Sequence, residues 1–119
     1  MNKIELLESY LSLYINHHEV VKDMENGEGK YMIIDVRNAP KHVKKDKIKS
    51  SIEIPAKDLK ENLDNLSKDK IYVVYDWTGG TILGKAALLE LYKHGYEAYE
   101  LAGALEGWKG MDLPLENIQ

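Results

Sequence analysis

Cysteine is absent from the 119-residue chain, and its absence excludes several kinds of chemistry. Without a thiol the chain has no disulfide, no thiolate metal site and no cysteine nucleophile. No stretch approaches the roughly 18 consecutive apolar residues of a membrane-spanning helix, so we expect no membrane segment. Only one of the 16 basic residues is an arginine, Arg37, and the net charge is −4. We therefore expect no nucleic-acid partner, because such a partner needs a basic surface.

The length and composition of the chain predict one domain over residues 1–119. Apolar residues make up 44% and charged residues 30% of the sequence, which is ordinary for a globular protein. There is no internal repeat and no linker rich in proline, glycine or serine. Residues 1–10 contain two glutamates among apolar positions instead of a basic head followed by an apolar run. This pattern is not that of a secretory signal, and we expect a cytoplasmic protein.

Apolar residues at helical spacing predict an N-terminal helix over residues 2–14, formed around Ile4, Leu7, Leu11 and Tyr14. This helix precedes the rest of the domain as an extension. Its apolar stripe must be buried on its own domain or on a second copy of the chain. The second option is a homodimer formed through the N-terminal helix.

The remainder of the chain alternates helices with short apolar strands. Asn16, followed by Glu19, predicts the start of a second helix with a capping box. Strands are predicted at 31–34, 52–54, 71–75 and 97–101, and helices at 59–66 and 81–95, with a short helix in the loop after Asp35. This alternation favours a three-layer α/β fold with a parallel sheet of about five strands between helices. Functional residues in such sheets collect at the carboxyl ends of the strands.

One loop at such a strand end has a distinctive sequence: Asp76, Trp77, Thr78, Gly79, Gly80 and Thr81. A short glycine-rich loop between a strand and a helix directs backbone N–H groups and the positive end of a helix dipole to one point, which binds an anion. The carboxylate of Asp76 can occupy that point from within the loop. Two interpretations of Asp76 stay open, a cap at the helix entry and a catalytic carboxylate, and residue preference favours the cap.

The same loop also resembles the D-K-T-G-T motif of enzymes that form an aspartyl phosphate. That chemistry needs a second acidic residue two positions further on, a downstream lysine and a Mg²⁺ site. Thr78 occupies the second position, and we regard this motif as a false match.

Several motifs taken in order resemble the rhodanese-like domain family over residues 15–114. They are Ile34-Asp35-Val36-Arg37, the segment Ile48 to Pro55, Val73-Val74-Tyr75-Asp76, Gly95-Tyr96, and Leu101 to Trp108. The resemblance implies a rhodanese-like fold, a sulfurtransferase activity and a catalytic cysteine that carries sulfur as a persulfide. It places that cysteine at position 76, where this chain has aspartate. Lys47 and Ser50 also replace the histidine and glycine that are usual in the family.

The resemblance further implies that Asp35 and Arg37 form a structural ion pair, with binding of a substrate anion by Arg37 as the alternative. It gives Leu105 and Trp108 no chemical role, and we expect both residues in the core.

Two other groups of polar residues have simple interpretations. The lysines at 41, 44, 45, 47 and 49 are expected to form a solvated face, with attraction of an acidic partner or anionic ligand as the alternative. The four histidines, His17, His18, His42 and His94, have no metal-ligand spacing and are expected to be exposed. We expect no metal and no cofactor.

Together these observations predict a rhodanese-like domain without sulfurtransferase activity. We expect it to bind a protein or a small anionic ligand, or to regulate one. The alternatives are a sulfurtransferase of this family whose cysteine has been changed in this chain, and a different activity that depends on the carboxylate of Asp76.

Overall fold

Five parallel strands form the central sheet in the computed structural model of the protein, which describes residues 1–119. In the order in which they lie across the sheet, the strands are β1 (Tyr14–Ile15), β6 (Glu97–Leu101), β5 (Ile71–Tyr75), β2 (Tyr31–Asp35) and β4 (Ile52–Glu53). The helices are α1 (Lys3–Leu11), α2 (His17–Asn26), α3 (Lys41–Lys44), α4 (Leu59–Asn62), α5 (Leu83–Lys93) and α6 (Ala104–Gly110). The three-layer α/β architecture expected from the sequence is confirmed.

The central strands β2 and β5 have apolar side chains on both faces of the sheet. Ile34 and Val74 belong to one buried cluster, which α4 and α5 cover. Ile33 and Val73 belong to a second cluster, which α2 and α6 cover through residues that include Leu105 and Trp108. Successive strand residues point to opposite faces, so these two clusters are the two outer interfaces of a three-layer domain.

A second, smaller sheet was not predicted from the sequence. Its strands β3 (Asp46–Ile48) and β7 (Leu115–Asn117) pair in an antiparallel manner. Both strands are three residues long and largely polar, so no alternation of apolar residues identifies them. The pairing with β7 fixes the position of β3, which passes beside the carboxyl end of β2.

The prediction of an N-terminal helix over residues 2–14 was wrong in its last turn. The helix α1 ends at Leu11, and Tyr14 belongs to β1, where it pairs with Glu100 of β6. Hydrogen bonds to a neighbouring strand override the local helical spacing of Tyr14. No residue of α1 is buried, and no helix is long and apolar enough to cross a bilayer.

The predicted helix over residues 59–66 is shorter than expected. A 3₁₀ turn at Ala56–Asp58 precedes α4, and a second 3₁₀ turn at Leu63–Asn65 follows it. Leu59 and Leu63 are nevertheless buried in the core. The start of α2 is as predicted, since the Asn16 side chain accepts a hydrogen bond from the backbone N–H of His18. The Glu19 side chain makes no return bond to Asn16, so the predicted capping box is not formed.

Candidate functional site

The end of β2 places two buried charges side by side. The Arg37 guanidinium donates from Nε and Nη2 to the two carboxylate oxygens of Asp35, at 2.9 and 2.7 Å. Nη2 also donates to the backbone carbonyl of Asp46 at 2.6 Å. Neither Asp35 nor Arg37 is exposed to solvent. This two-pronged geometry is the strong form of an arginine–carboxylate pair, and it directs the charge of Arg37 into the protein.

The loop 76–81 covers this ion pair. The ring of Trp77 lies over the Arg37 guanidinium, 4.4 Å from Cζ to the ring centroid, which is a cation–π contact. Burial by itself would lower the pKa of Arg37, but the hydrogen bonds and the negative charge of Asp35 outweigh burial and raise it. Arg37 therefore stays charged, and its side chain does not reach an anion in solvent.

Asp76 lies at the start of the loop, directly after β5, and is 1% exposed. Its Oδ1 accepts a hydrogen bond from the backbone N–H of Trp77 at 2.8 Å, and its Oδ2 accepts one from the hydroxyl of Thr81. Both carboxylate oxygens are thus bound by the residues of their own loop. The negative charge that such a loop can stabilise is already present in the side chain of Asp76.

The interpretation of Asp76 as a cap at the helix entry was wrong. The residue before the first turn of α5 is Ile82, and no side chain accepts a hydrogen bond from that turn. Asp76 lies six residues before Ile82 and closes the loop instead of capping the helix. Helix α6 holds the base of the loop, because the backbone N–H of Leu105 donates to the carbonyl of Asp76 at 3.1 Å.

Tyr75, the last residue of β5, connects the ion pair to the end of β3 and to the residues that follow it. Its buried hydroxyl accepts a hydrogen bond from the backbone N–H of Ile48 at 3.1 Å and lies 3.2 Å from the hydroxyl of Ser51. Burial raises the pKa of Tyr75 well above its ordinary value, and the charge of Asp35 adds to this increase. Tyr75 therefore stays neutral beside Arg37, and its hydroxyl holds Ile48 and Ser51 in place by hydrogen bonds.

One buried charge near this edge of the sheet was missed by the sequence analysis. Glu100 of β6 is buried, and its Oε1 lies 3.2 Å from the Nζ of Lys85 in the first turn of α5. The available signal was strand alternation, which places Glu100 on the same face as the buried residue Ala98.

The hydroxyls of Tyr10 and Tyr14 lie 3.1 Å apart, and Lys85 lies over the ring of Tyr14.

The lysine-rich segment is only partly the solvated face that was predicted. Lys44 is buried and forms an ion pair with Glu53 at 2.6 Å, because α3 packs beside the end of β4. Lys41, Lys45 and Lys49 are exposed. The expectation of a wholly solvated segment was therefore wrong at Lys44.

The histidines are not brought together. His18, His42 and His94 are exposed, and His17 is half-buried beside the ring of His18. No group of three or more histidine, aspartate or glutamate side chains is arranged to hold a metal ion.

Three surface cavities have volumes of about 150, 400 and 370 Å³. The first two lie beside α2 and Tyr31, and the third lies beside Tyr92 and Tyr96. None of these three is lined by a residue of the loop 76–81. Within the loop, Gly79 and Gly80 are exposed, whereas Trp77, Thr78 and Thr81 are half-buried and Asp76 is buried.

Comparison with known proteins agrees with the fold. The family model of the rhodanese-like domain matches residues 16–111. A full-length protein from Lactobacillus plantarum is 66% identical, with a TM-score of 0.96 over 98% of this chain and 97% of that chain. A protein from Bacillus halodurans is 25% identical, with a TM-score of 0.83 over 98% of this chain and 87% of that chain.

A rhodanese-related protein from Thermoplasma volcanium is also 25% identical, with a TM-score of 0.73 over 87% of this chain and 96% of that chain. None of the curated proteins compared with the chain matches it.

Proposed function

Because the chain belongs to the rhodanese-like domain family and contains no cysteine, we propose that it serves as a binding or regulatory module and not as a sulfurtransferase. Sulfur transfer through a persulfide needs a thiolate, and a carboxylate cannot take its place. The position that the family resemblance assigns to the cysteine is occupied by Asp76, and no other residue of the chain carries a thiol.

The state of Asp76 in the loop is the observation that carries this proposal. Its two oxygens accept hydrogen bonds from Trp77 and Thr81, and the side chain is almost completely buried. A second anion at the same point would have to approach a carboxylate that already holds these donors, and like charges repel at such distances. The loop therefore favours a protein partner over a small anionic ligand.

A protein partner has an accessible part of the loop to contact. Gly79 and Gly80 are exposed, and a Cβ at Gly79 would meet no atom within 4 Å. The indole of Trp77, fixed on Arg37, provides a rigid half-buried ring beside these glycines. Rigid aromatic rings are enriched at protein interfaces.

A cytoplasmic location, as expected from the sequence, is part of the proposal, and cell fractionation would test it.

The second candidate is a family sulfurtransferase whose cysteine has been changed in this chain. Close relatives with aspartate at position 76 would support the binding module, whereas relatives that uniformly carry cysteine there would support the changed enzyme. A further activity that depends on the carboxylate of Asp76 has less support, because a general base must reach the proton that it removes. Both oxygens of Asp76 face its own loop.

A thiosulfate:cyanide sulfurtransferase assay tests the catalytic half of the proposal. We expect the purified full-length chain to form no thiocyanate above background. An active family sulfurtransferase in parallel shows that the assay detects turnover. Thiocyanate formation that persists through further purification of the chain and scales with its concentration would contradict the proposal.

The binding half is tested by the dependence of an interaction on the loop. The proteins retained by the immobilised full-length wild-type chain are compared with those retained by Gly79→Glu and by the control Gly110→Glu. Gly110 lies at the end of α6, and a Cβ there would also meet no atom within 4 Å. We expect a partner that Gly79→Glu loses and Gly110→Glu keeps. If Gly79→Glu retains every protein that the wild-type chain retains, the loop is not the binding surface.

A further inference from the structure

The outer edge of β6 is only partly covered by β1. The two residues of β1 pair with Glu100 and Leu101, the last two residues of β6. The first three residues, 97–99, pair with β5 on one side and with no strand on the other. A strand edge without a partner presents backbone N–H and C=O groups to which a strand of another chain can bind.

The chain that precedes β1 turns away from this edge. In the parallel register of β1 and β6, Ser12 would lie opposite Ala98 if β1 were longer. Ser12 instead has helical dihedral angles, φ −67° and ψ −14°, and its N–H donates to the carbonyl of Glu8 at 3.1 Å. The end of α1 therefore provides no backbone partner for Ala98.

The backbone of Ala98 faces this open edge. The N–H of Glu100 donates to the carbonyl of Leu13, the residue before β1, at 2.8 Å, so the backbone groups of Glu100 point to the outer side. Because these groups alternate in direction along a strand, those of Ala98, two residues earlier, point to the same side. Ala98 is nevertheless only 4% exposed, so another part of the chain covers it.

Tyr92, in the last turn of α5, supplies cover at this edge. Its hydroxyl donates a hydrogen bond to the carbonyl of Ala98 at 2.6 Å, and this carbonyl is the acceptor that a neighbouring strand would use. The side chain lines the cavity of about 370 Å³ together with Tyr96 and Tyr99. Burial raises the pKa of the Tyr92 hydroxyl, so the hydroxyl keeps the proton that it donates.

We propose that Tyr92 blocks the open edge of β6 and so prevents an extended segment of another copy of the chain from adding to the central sheet. Natural sheets avoid such pairing with charged side chains, bulges or a covering element. Residues 97–99 contain a single charged residue, Glu97. The open length of three residues is as long as β3 and β7, which do pair with each other. The bond from Tyr92 occupies the carbonyl at the centre of this open length.

Self-association of the full-length chain, measured by light scattering and sedimentation over a range of concentrations, tests the proposal. Tyr92→Ala removes the ring and the hydroxyl, and we expect it to associate several-fold more strongly than the wild-type chain. Tyr92→Phe removes only the hydroxyl and should show the same change to a smaller extent. Tyr99→Ala and Tyr99→Phe are the matched controls and should associate as the wild-type chain does. Tyr99 lines the same cavity, but it points to the opposite face of the sheet from Ala98.

Two further measurements separate the blocking of the edge from a general loss of stability. Circular dichroism at the temperature of the experiment shows whether each variant is folded. Amide hydrogen exchange reports on the edge itself, because the N–H of Ala98 should exchange more slowly in the associated Tyr92→Ala variant than in its monomer. Tyr92 variants that associate no more than the Tyr99 variants would overturn the proposal. An associated form in which the exchange of the Ala98 N–H is unchanged would overturn it as well.

Discussion

The carboxylate of Glu100 occupies the space that the Cβ of any residue other than glycine would need at position 84. A Cβ built on Gly84 would stand 2.8 Å from Cδ of Glu100, closer than real Cβ atoms approach a neighbour. Glycine at the second position of α5 therefore allows the helix to pack over a buried carboxylate. The backbone of Gly84 does not need the left-handed region, so the constraint is one of space alone.

Gly84→Ala should destabilise the protein by about 1–3 kcal/mol, because the Glu100 side chain is buried and paired with Lys85 and cannot move aside without disturbing that contact. This cost outweighs the preference of helices for alanine over glycine, which is up to about 1 kcal/mol. Gly107→Ala in α6 is the control, because a Cβ there would meet no atom within 4 Å. The control should be neutral or slightly stabilising. Urea unfolding of both variants measures the difference, and equal stabilities would contradict the close approach of Glu100.

Removal of one charge from the ion pair between Asp35 and Arg37 should be costly. Both side chains are fully buried, and a single buried charge without its partner costs about 3–5 kcal/mol. We expect Asp35→Asn and Arg37→Met each to lose that much stability, and the double variant to lose less than the sum of the two. Additive losses in the unfolding free energy would show that the pair is not coupled.

Stability should fall at alkaline pH because of Tyr75. The unfolded chain releases tyrosine protons near pH 10, whereas burial raises the pKa of Tyr75 in the folded state. The unfolded state therefore binds fewer protons above about pH 10, and the unfolding free energy decreases by up to about 1.4 kcal/mol per pH unit from this group. Tyr75→Phe should reduce this slope. Denaturant unfolding between pH 9 and 11 measures it, and an unchanged slope would contradict the assignment.

The fold was largely predictable because its central strands are continuous apolar runs. Residues 71–75 combine β-branched and aromatic side chains, and only a strand buried on both faces accommodates such a run. The cap at Asn16 likewise identified the start of α2 without tertiary information. Where local and tertiary interactions disagreed, as at Tyr14, the parallel pairing with β6 decided the structure, with the N–H of Glu100 donating to the carbonyl of Leu13.

The candidate site was predictable in its residues but not in their contacts. The position of Asp76 at a strand end was visible in the sequence, but its bond to Thr81 depends on how the loop closes. The burial of Lys44 and Glu100 depends on partners in other elements, Glu53 and Lys85. Single charged residues in a polar segment give no sign of such partners. The sequence therefore indicated the residues of the candidate site better than it indicated which charges are buried.

A cysteine introduced at position 76 should be unusually reactive. If the N–H of Trp77 and the hydroxyl of Thr81 stabilise negative charge there, Asp76→Cys should carry a thiol with a pKa below the ordinary value of about 8.5. The pH dependence of iodoacetamide labelling reports this pKa directly, because the variant has no other cysteine. Sulfurtransferase activity should return only weakly, since Lys47 and Ser50 also differ from the residues that are usual in the family. A labelling midpoint at or above that of a free thiol would show that the loop does not favour an anion.

The most direct test of the account compares the response of wild type and Asp76→Ala to thiosulfate. Alanine removes the carboxylate but leaves the backbone donors of the loop, so the loop becomes free to accept an external anion. We predict that thiosulfate shifts the backbone amide resonances of residues 77–81 in Asp76→Ala and leaves them unchanged in the wild-type protein at the same ionic strength. A saturable shift of these resonances in the wild type, or none in Asp76→Ala, would contradict the claim that Asp76 fills the anion site of its own loop.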